Sequence, residues 1–136
     1  MLFISGLPIA QGSKKAFQKN GRIVLVESAT GLKPWREKVA AEASRLDFPL
    51  AETEAISLEL MFMMPQPKKP QRRYPTTKPD IDKLSRAILD ALTGVLYKDD
   101  SQVTFLNVQK VYTFGEPGVY LTISALNNDL ITPPKM

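Results

Sequence analysis

The 136 residues of the chain suit a single domain with one hydrophobic core, because single domains commonly contain about 100 to 150 residues. Cysteine and histidine are both absent, which excludes disulfides, thiol nucleophiles, Ser-His-Asp triads and zinc sites built from Cys or His. The net charge of +4 is compatible with an anionic partner, and any metal would have to bind carboxylates, which select hard cations such as Mg²⁺ or Mn²⁺.

The N-terminal third is predicted to contain a strand, a hairpin and a helix. Leu2–Ile9 reads as a strand; it lacks a basic flank and is too short to span a membrane, so we expect a cytoplasmic protein with no membrane partner. Ala16–Lys19 and Arg22–Val26 flank Asn20-Gly21, which suits a tight type I′ turn. A helix is predicted to begin at Pro34, with a buried stripe of Trp35, Val39, Ala43 and Leu46.

A strand and a proline-rich segment follow. Apolar residues alternate with others from Ile56 to Met63, which predicts a strand with one buried face that ends at Pro65. Residues 64–79 hold five of the eleven prolines, which excludes a helix or a central strand and predicts an extended, mobile segment. We call residues 64–79 the basic arm, because they contain Lys68, Lys69, Arg72, Arg73 and Lys78 and no acidic residue.

A second helix and two further strands complete the prediction. The helix runs from about Asp82 to Thr93, with Gly94 as its C-cap and a buried face of Leu84, Ile88, Ala91 and Leu92. Val103–Phe114 and Val119–Leu126 read as a β-hairpin, and residues 127–136 as a flexible tail. The sequence therefore predicts one α+β domain over residues 1–126, with a mixed β-sheet and two main helices.

Charge is distributed unevenly along the chain. A first basic run contains Lys14, Lys15, Lys19 and Arg22, and the basic arm is the second. Five of the seven aspartates lie in one window between residues 80 and 100: Asp80, Asp82, Asp90, Asp99 and Asp100. Either basic run alone is better explained as a solvated loop. Two such runs beside an acidic cluster instead indicate that the chain binds a polyanion and holds it against a metal site.

Asp80 and Asp82 are the first candidate metal ligands. Pro79 favours an extended chain, in which residues two apart share a face. We therefore expect Asp82 to be the N-cap of the second helix, with Ile81 turned into the core and both carboxylates projecting together. Two carboxylates so close are costly without a cation between them. Taken alone, this pair is better explained without a metal, with Asp82 as a helix cap and Asp80 as a solvated side chain.

Asp99-Asp100 is the second half of the candidate site. It follows the second helix after a short turn, so a returning strand could bring Asp100 beside the first two aspartates. Three carboxylates would hold Mg²⁺ and leave positions for water and substrate phosphate oxygens. Two aspartates in a turn are also ordinary turn chemistry.

Three segments together resemble the RusA family of Holliday-junction resolvases from bacteria and their phages: Pro79–Leu84 (PDIDKL), Asp90–Gly94 (DALTG) and Tyr97–Val103 (YKDDSQV). The resemblance implies a homodimeric endonuclease, dependent on Mg²⁺ or Mn²⁺, that cuts four-way DNA junctions symmetrically in recombination and repair. It also implies three essential aspartates, which by motif position are Asp80, Asp82 and Asp100.

The chain departs from the family pattern near these aspartates. Arg86 stands where the family typically has an essential lysine, and Lys83 stands where asparagine is more usual, whereas Lys110 matches another basic family position. Arg86 could pair with Asp82 or Asp90 at a spacing of four residues, or it could hold a phosphate oxygen. It could not act as a general acid, because arginine stays protonated.

The leading hypothesis is metal-dependent hydrolysis at a DNA junction, with Arg86 or Lys110 stabilising the developing charge. DNA contacts are predicted for Lys14, Lys15, Lys19, Lys68, Lys69, Arg72, Arg73, Lys78 and Lys110. A restriction-type nuclease is weakened because no D/E-x-K motif follows Pro79-Asp80. A DNA-binding protein without catalysis is the alternative.

The symmetry of a four-way junction predicts a C2 homodimer with two active centres. We expect its interface to include Met61, Met63 and the Phe105 or Tyr112 side of the C-terminal strands, although a buried core would explain the same residues.

Overall fold

The computed structural model describes residues 1–12, 14–27, 30–69 and 72–127, with the backbone alone for 14–19 and 23–27. The elements in chain order are β1 (Leu2–Ser5), β2 (Lys14–Lys19), β3 (Arg22–Glu27), α1 (Leu32–Ala43), β4 (Ala55–Pro65), α2 (Ile81–Leu92), a 3₁₀ turn (Asp100–Gln102), β5 (Val103–Thr113) and β6 (Gly118–Leu126). None of the described helices is long and apolar enough to cross a membrane. The predicted tail, apart from its first residue, lies outside the described residues.

Four strands form a mixed sheet in the order β1-β6-β4-β5. The central strand β4 is antiparallel to β6 and parallel to β5, while β1 completes the other edge by antiparallel pairing with β6. Parallel neighbours require a connection that returns to the first end of the sheet, and α2 lies in this connection. The predicted α+β class and mixed sheet are confirmed.

The predicted C-terminal hairpin is wrong, because β5 and β6 lie on opposite sides of β4. Thr113 pairs with Pro65 and Gly118 pairs with Met63, so the link 114–117 crosses the end of β4. The physical reason is that β4 has five side chains buried in the core, so its backbone N–H and C=O groups need hydrogen-bonded neighbours along both of its edges. Local turn residues cannot reveal this requirement.

The hydrophobic core lies between one face of the sheet and the two helices. The strand β4 alternates as predicted, and it buries Ile56, Leu58, Leu60, Phe62 and Met64 on that face. The helices contribute Leu32, Trp35, Val39, Ala43, Leu84, Ile88, Ala91 and Leu92. Each large side chain buried in this way stabilises the fold by about 1.5 to 3 kcal/mol before the entropy cost is counted. This core holds α2 rigidly against the sheet.

Two element boundaries differ from the sequence-based expectation. The strand β1 ends at Ser5 rather than Ile9, because Gly6 adopts a φ of 130° and its N–H donates to the Pro117 carbonyl at 2.9 Å. The helix α1 begins two residues before Pro34, directly after Gly31. Leu46 lies beyond the end of α1 and still packs against the core.

The hairpin prediction around Asn20-Gly21 is confirmed. The strands β2 and β3 form a separate two-stranded sheet, with φ values of 52° at Asn20 and 76° at Gly21. Both angles have the positive sign that a type I′ turn requires. The first basic run therefore lies on this hairpin, but the side chains of Lys14, Lys15 and Lys19 are outside the described part of the structure.

Candidate functional site

The N-terminus of α2 carries the first two candidate aspartates. Asp80, not Asp82, is the N-cap residue, and its carbonyl accepts the Leu84 N–H at 3.0 Å. The predicted cap at Asp82 is therefore wrong, as is the predicted burial of Ile81, which is 40% exposed. Because the helix begins at Ile81, Asp82 lies in its first turn and does not share an extended face with Asp80. The Asp80 carboxylate lies 3.6 Å from the Lys83 ammonium.

A groove of about 560 Å³, which we call the carboxylate groove, lies between α2 and β5. It brings Asp82 and Asp100 together with Arg86, whereas Asp80 is not among its lining residues. The rest of the lining is Ile81, Ser85, Leu89, Leu106 and Val108. The Ser85 hydroxyl donates to the Ile81 carbonyl at 2.8 Å within the helix. Two carboxylates and one guanidinium are therefore the charged groups of an otherwise mainly aliphatic groove.

The two adjacent aspartates of the 3₁₀ turn have different environments. The Asp99 carboxylate accepts the Ser101 N–H at 2.9 Å, and this backbone donor lowers the pKa of Asp99. Partial burial, followed by the negative charges of Asp99 and Asp90, raises the pKa of Asp100. Asp99 is thus a capping residue, and Asp100 is the member of the pair that lines the groove.

The carboxylate groove offers two of the ligands that a divalent cation needs. Within the described residues, no three acidic side chains lie close enough together to form a metal site. Asp82 and Asp100 nevertheless fit a hard cation, because Mg²⁺ in proteins is commonly bound by one or two carboxylates plus water and phosphate oxygens. After burial, the negative charges of Asp99 and Asp90 also raise the pKa of Asp100, and a bound cation would relieve this repulsion.

Arg86 is exposed and lines the groove, and it forms neither of the ion pairs considered from the sequence. Asp90 instead accepts a hydrogen bond from the Gln11 side chain and lies 3.9 Å from the Arg36 guanidinium. Arg36 also donates to Gln11 Oε1 at 2.9 Å. These contacts fasten α2 to α1 and to the segment after β1. Gln11 and Arg36 were not identified from the sequence, since their spacing along the chain carries no signal.

Lys110 holds the end of the basic arm in place. Its ammonium donates to the carbonyls of Thr77 and Pro79, both at 2.9 Å. These carbonyls directly precede Asp80, so Lys110 fixes the chain where it enters α2. This contact is an additional role beside the DNA contact predicted for Lys110 from the sequence.

The basic arm displays most of its positive charge to solvent. Arg72 is half-buried, and its carbonyl accepts the Gln66 side-chain amide at 3.4 Å. The Arg73 guanidinium lies 5.5 Å from the centre of the Tyr74 ring, within range of a cation–π contact. The exposed basic residues of the arm are Lys68, Lys69, Arg73 and Lys78. The arm is therefore tied down at Arg72 and at its C-terminal end, and its mobility stays a prediction.

The chain is similar to known proteins over most of its length. The model of the protein family described as endodeoxyribonuclease RusA matches residues 6–124, which include every lining residue of the carboxylate groove. The chain is also similar to a Bacillus subtilis (strain 168) protein named as uncharacterized protein YqaN. The two are 33% identical over an alignment of 132 positions, and the alignment covers 88% of this chain and 92% of the relative.

Proposed function

The chain belongs to the RusA endodeoxyribonuclease family, and from that premise we propose that it resolves four-way DNA junctions by metal-dependent phosphodiester hydrolysis in recombination and repair. The observation that carries the proposal is the carboxylate groove, in which the turn that bears Asp100 lies beside the helix α2 that carries Asp82 and Arg86. A carboxylate pair beside a cation suits a phosphate substrate and a divalent metal.

The proposed mechanism assigns a distinct task to each charged group. Asp82 and Asp100 would hold Mg²⁺ or Mn²⁺. Asp80, at the N-cap of the same helix, would become the third ligand if its carboxylate turned from Lys83 toward the groove. A bound metal would polarise the phosphate and lower the pKa of a water. Arg86 would hold a phosphate oxygen and stabilise the charge that develops on it. Because arginine stays protonated, the proton taken up by the leaving group would come from water.

The aliphatic lining would strengthen these electrostatic interactions. Ile81 and Leu106 border the groove opposite each other, on α2 and β5, and their side chains are 40% and 43% exposed. A DNA strand in the groove would cover them and displace water. Charge interactions become stronger when water is excluded, so Arg86 would act more strongly on bound phosphate than on a phosphate in solution.

The basic arm and the β2–β3 hairpin are the proposed DNA-contacting segments. The exposed arm residues Lys68, Lys69, Arg73 and Lys78 precede Asp80 directly in the chain, so a strand bound along the arm would lead to the groove. Phosphate contacts of this kind give affinity without base recognition. Selectivity for a junction would then come from the spacing of two such surfaces in a dimer.

We propose a C2 homodimer that uses the sheet face opposite the helices, which we call the open face. The rings of Phe3 and Tyr120 lie there with centroids 4.7 Å apart, close to Met61. Phe105 pairs with Ser57 and shares the open face, whereas Tyr112 pairs with Met64 and lies on the helix-covered side. The Phe105 side is therefore the one that the register supports as an interface.

Cleavage of a synthetic four-way junction, compared with a linear duplex of the same sequence, tests the proposed function. We expect symmetric cuts in the junction in the presence of Mg²⁺ or Mn²⁺ and none in the duplex. Binding without cleavage in either metal would favour the non-catalytic alternative, and equal cutting of both substrates would refute junction selectivity.

A mixed dimer tests the assembly. Wild-type and Asp82→Asn subunits combined in one dimer should nick one strand of a junction and rarely complete resolution. A chain that is fully active and sediments as a monomer at the assay concentration would contradict the dimer.

A further inference from the structure

Two side chains hold the turn that carries Asp100: the Asp99 carboxylate caps it, and the carboxamide of Gln102 closes it from within. Its Oε1 accepts the backbone N–H groups of Lys98 and Asp99, both at 2.9 Å. Asp100 is the residue between these donors and Gln102 that lines the carboxylate groove. The carboxamide oxygen therefore closes the loop from which the Asp100 side chain projects.

The amide nitrogen of Gln102 fastens the same turn to a different part of the chain. Its Nε2 donates to the carbonyls of Ala51 and Glu54, at 3.2 and 3.1 Å. These residues directly precede the central strand β4. A carboxamide offers two N–H donors and one oxygen that accepts two bonds, so all four hydrogen-bonding positions of Gln102 are used.

We propose that Gln102 is a positioning residue for the reaction: it fixes the Asp100 carboxylate across the groove from Asp82 without touching the substrate. The inference rests on the proposed function. The 3₁₀ turn spans only Asp100–Gln102, and so short a helix has too few internal hydrogen bonds to hold a fixed geometry. A metal ligand on such a turn needs support from outside it, and partners of this kind commonly change metal affinity or activity by 10- to 100-fold.

The test uses the full chain with Mn²⁺ as the probe, bound in the absence of DNA and measured by electron paramagnetic resonance. Gln102→Met keeps the length of the side chain and removes its hydrogen bonds. We expect this variant to bind Mn²⁺ roughly tenfold more weakly and to cut junctions roughly tenfold more slowly at low Mn²⁺, with partial recovery at high Mn²⁺. Its affinity for junction DNA without metal should be unchanged, because the basic arm is untouched.

Two control variants separate positioning from a general loss of stability. Gln109→Met makes the same chemical change on β5, at an exposed residue that pairs with Met61 on the open face, and should bind Mn²⁺ like the wild type. Thr93→Ala removes a hydroxyl that donates to the Leu89 carbonyl at 2.9 Å, so it destabilises α2 without touching the turn. It should lower the melting temperature and leave Mn²⁺ affinity unchanged. Gln102→Asn, which keeps the carboxamide but is too short to reach, replaces Gln102→Met if the latter does not stay folded.

The outcomes test the role of Gln102 separately from the proposed function. Unchanged Mn²⁺ affinity in Gln102→Met or Gln102→Asn overturns the inference and leaves the proposed function standing. Equal weakening in Thr93→Ala also overturns it, since stability alone would then explain the effect. A wild-type chain that binds no Mn²⁺ and cuts no junction overturns the proposed function together with the inference.

Discussion

Replacing Tyr97 by Phe should change how the stability of the fold depends on pH. Tyr97 is fully buried, and its hydroxyl donates to the Leu89 carbonyl at 2.7 Å. The same carbonyl also accepts the Thr93 hydroxyl, so it keeps a partner when the tyrosine hydroxyl is removed. The loss of one such bond costs about 1 kcal/mol of unfolding free energy at pH 7.

At high pH the buried Tyr97 destabilises the fold. Burial raises the pKa of Tyr97 far above its ordinary value; a hydrogen bond with Thr93 lowers it in part, and the charges of Asp100 and Asp90 add smaller increases. Because the pKa is raised in the folded state, Tyr97 makes its full contribution to the free energy of unfolding below the unfolded-state pKa of about 10. This contribution is lost as the pH rises from there through the folded-state pKa. Between these limits the wild type loses up to about 1.4 kcal/mol for each pH unit, because only the unfolded chain releases the proton.

The Tyr97→Phe variant lacks this loss, so the two stability curves should cross at about pH 10.6, where the alkaline penalty in the wild type reaches the roughly 1 kcal/mol that the hydrogen bond contributes. Urea denaturation of both chains at pH 7, 10 and 11 measures the difference, and other titrating groups cancel in the comparison. A difference in unfolding free energy that stays constant from pH 7 to 11 would refute the assignment of the alkaline sensitivity to Tyr97.

Three further predictions concern the turn, the arm and the sheet. Asp100→Asn should abolish junction cleavage, whereas Asp99→Asn should retain it, because Asp99 caps the turn and does not line the groove; the reverse result would show that the assignment of the two carboxylates is wrong. If about six phosphates are neutralised, log K for junction binding should fall as log salt concentration rises, with a slope of about −5. The slope should flatten to about −2 when four residues of the basic arm are replaced by Ala: Lys68, Lys69, Arg72 and Arg73. An unchanged slope would exclude the basic arm from the DNA-contacting surface. Gly118→Ala should cost about 1 to 3 kcal/mol in a denaturation experiment, because a Cβ there would clash with the Ile4 carbonyl oxygen in β1; a wild-type melting temperature would contradict this packing.

Elements with a strong local pattern could be predicted from the sequence. The alternation along β4 and the four-residue spacings of α2 each record one buried face, and the structure buries those faces. Asn20-Gly21 was sufficient to predict its hairpin, since few other residues tolerate two positive φ angles in succession. These features depend on near neighbours in the chain.

Features that depend on distant residues could not be predicted. Nothing local in β5 and β6 indicates that β4 lies between them. The N-cap of α2 lies two residues before the predicted one, at Asp80 rather than Asp82, so Asp82 lies inside the first turn of the helix. The contacts of Gln102 with Ala51 and Glu54 join positions about fifty residues apart. The candidate aspartates were named from sequence motifs, but the groove and the groups that support it required the fold.

The most direct measurement of the central claim is single-turnover cleavage of a four-way junction in Mg²⁺ by the wild type and by Asp82→Asn, with junction binding measured in parallel. Removing this groove carboxylate should abolish cleavage and leave binding intact or stronger, because phosphate meets less negative charge. Asp80→Asn is measured alongside, since Asp80 caps the same helix and is the proposed third ligand. Wild-type cleavage rates in the Asp82→Asn variant would contradict the carboxylate groove as the catalytic site.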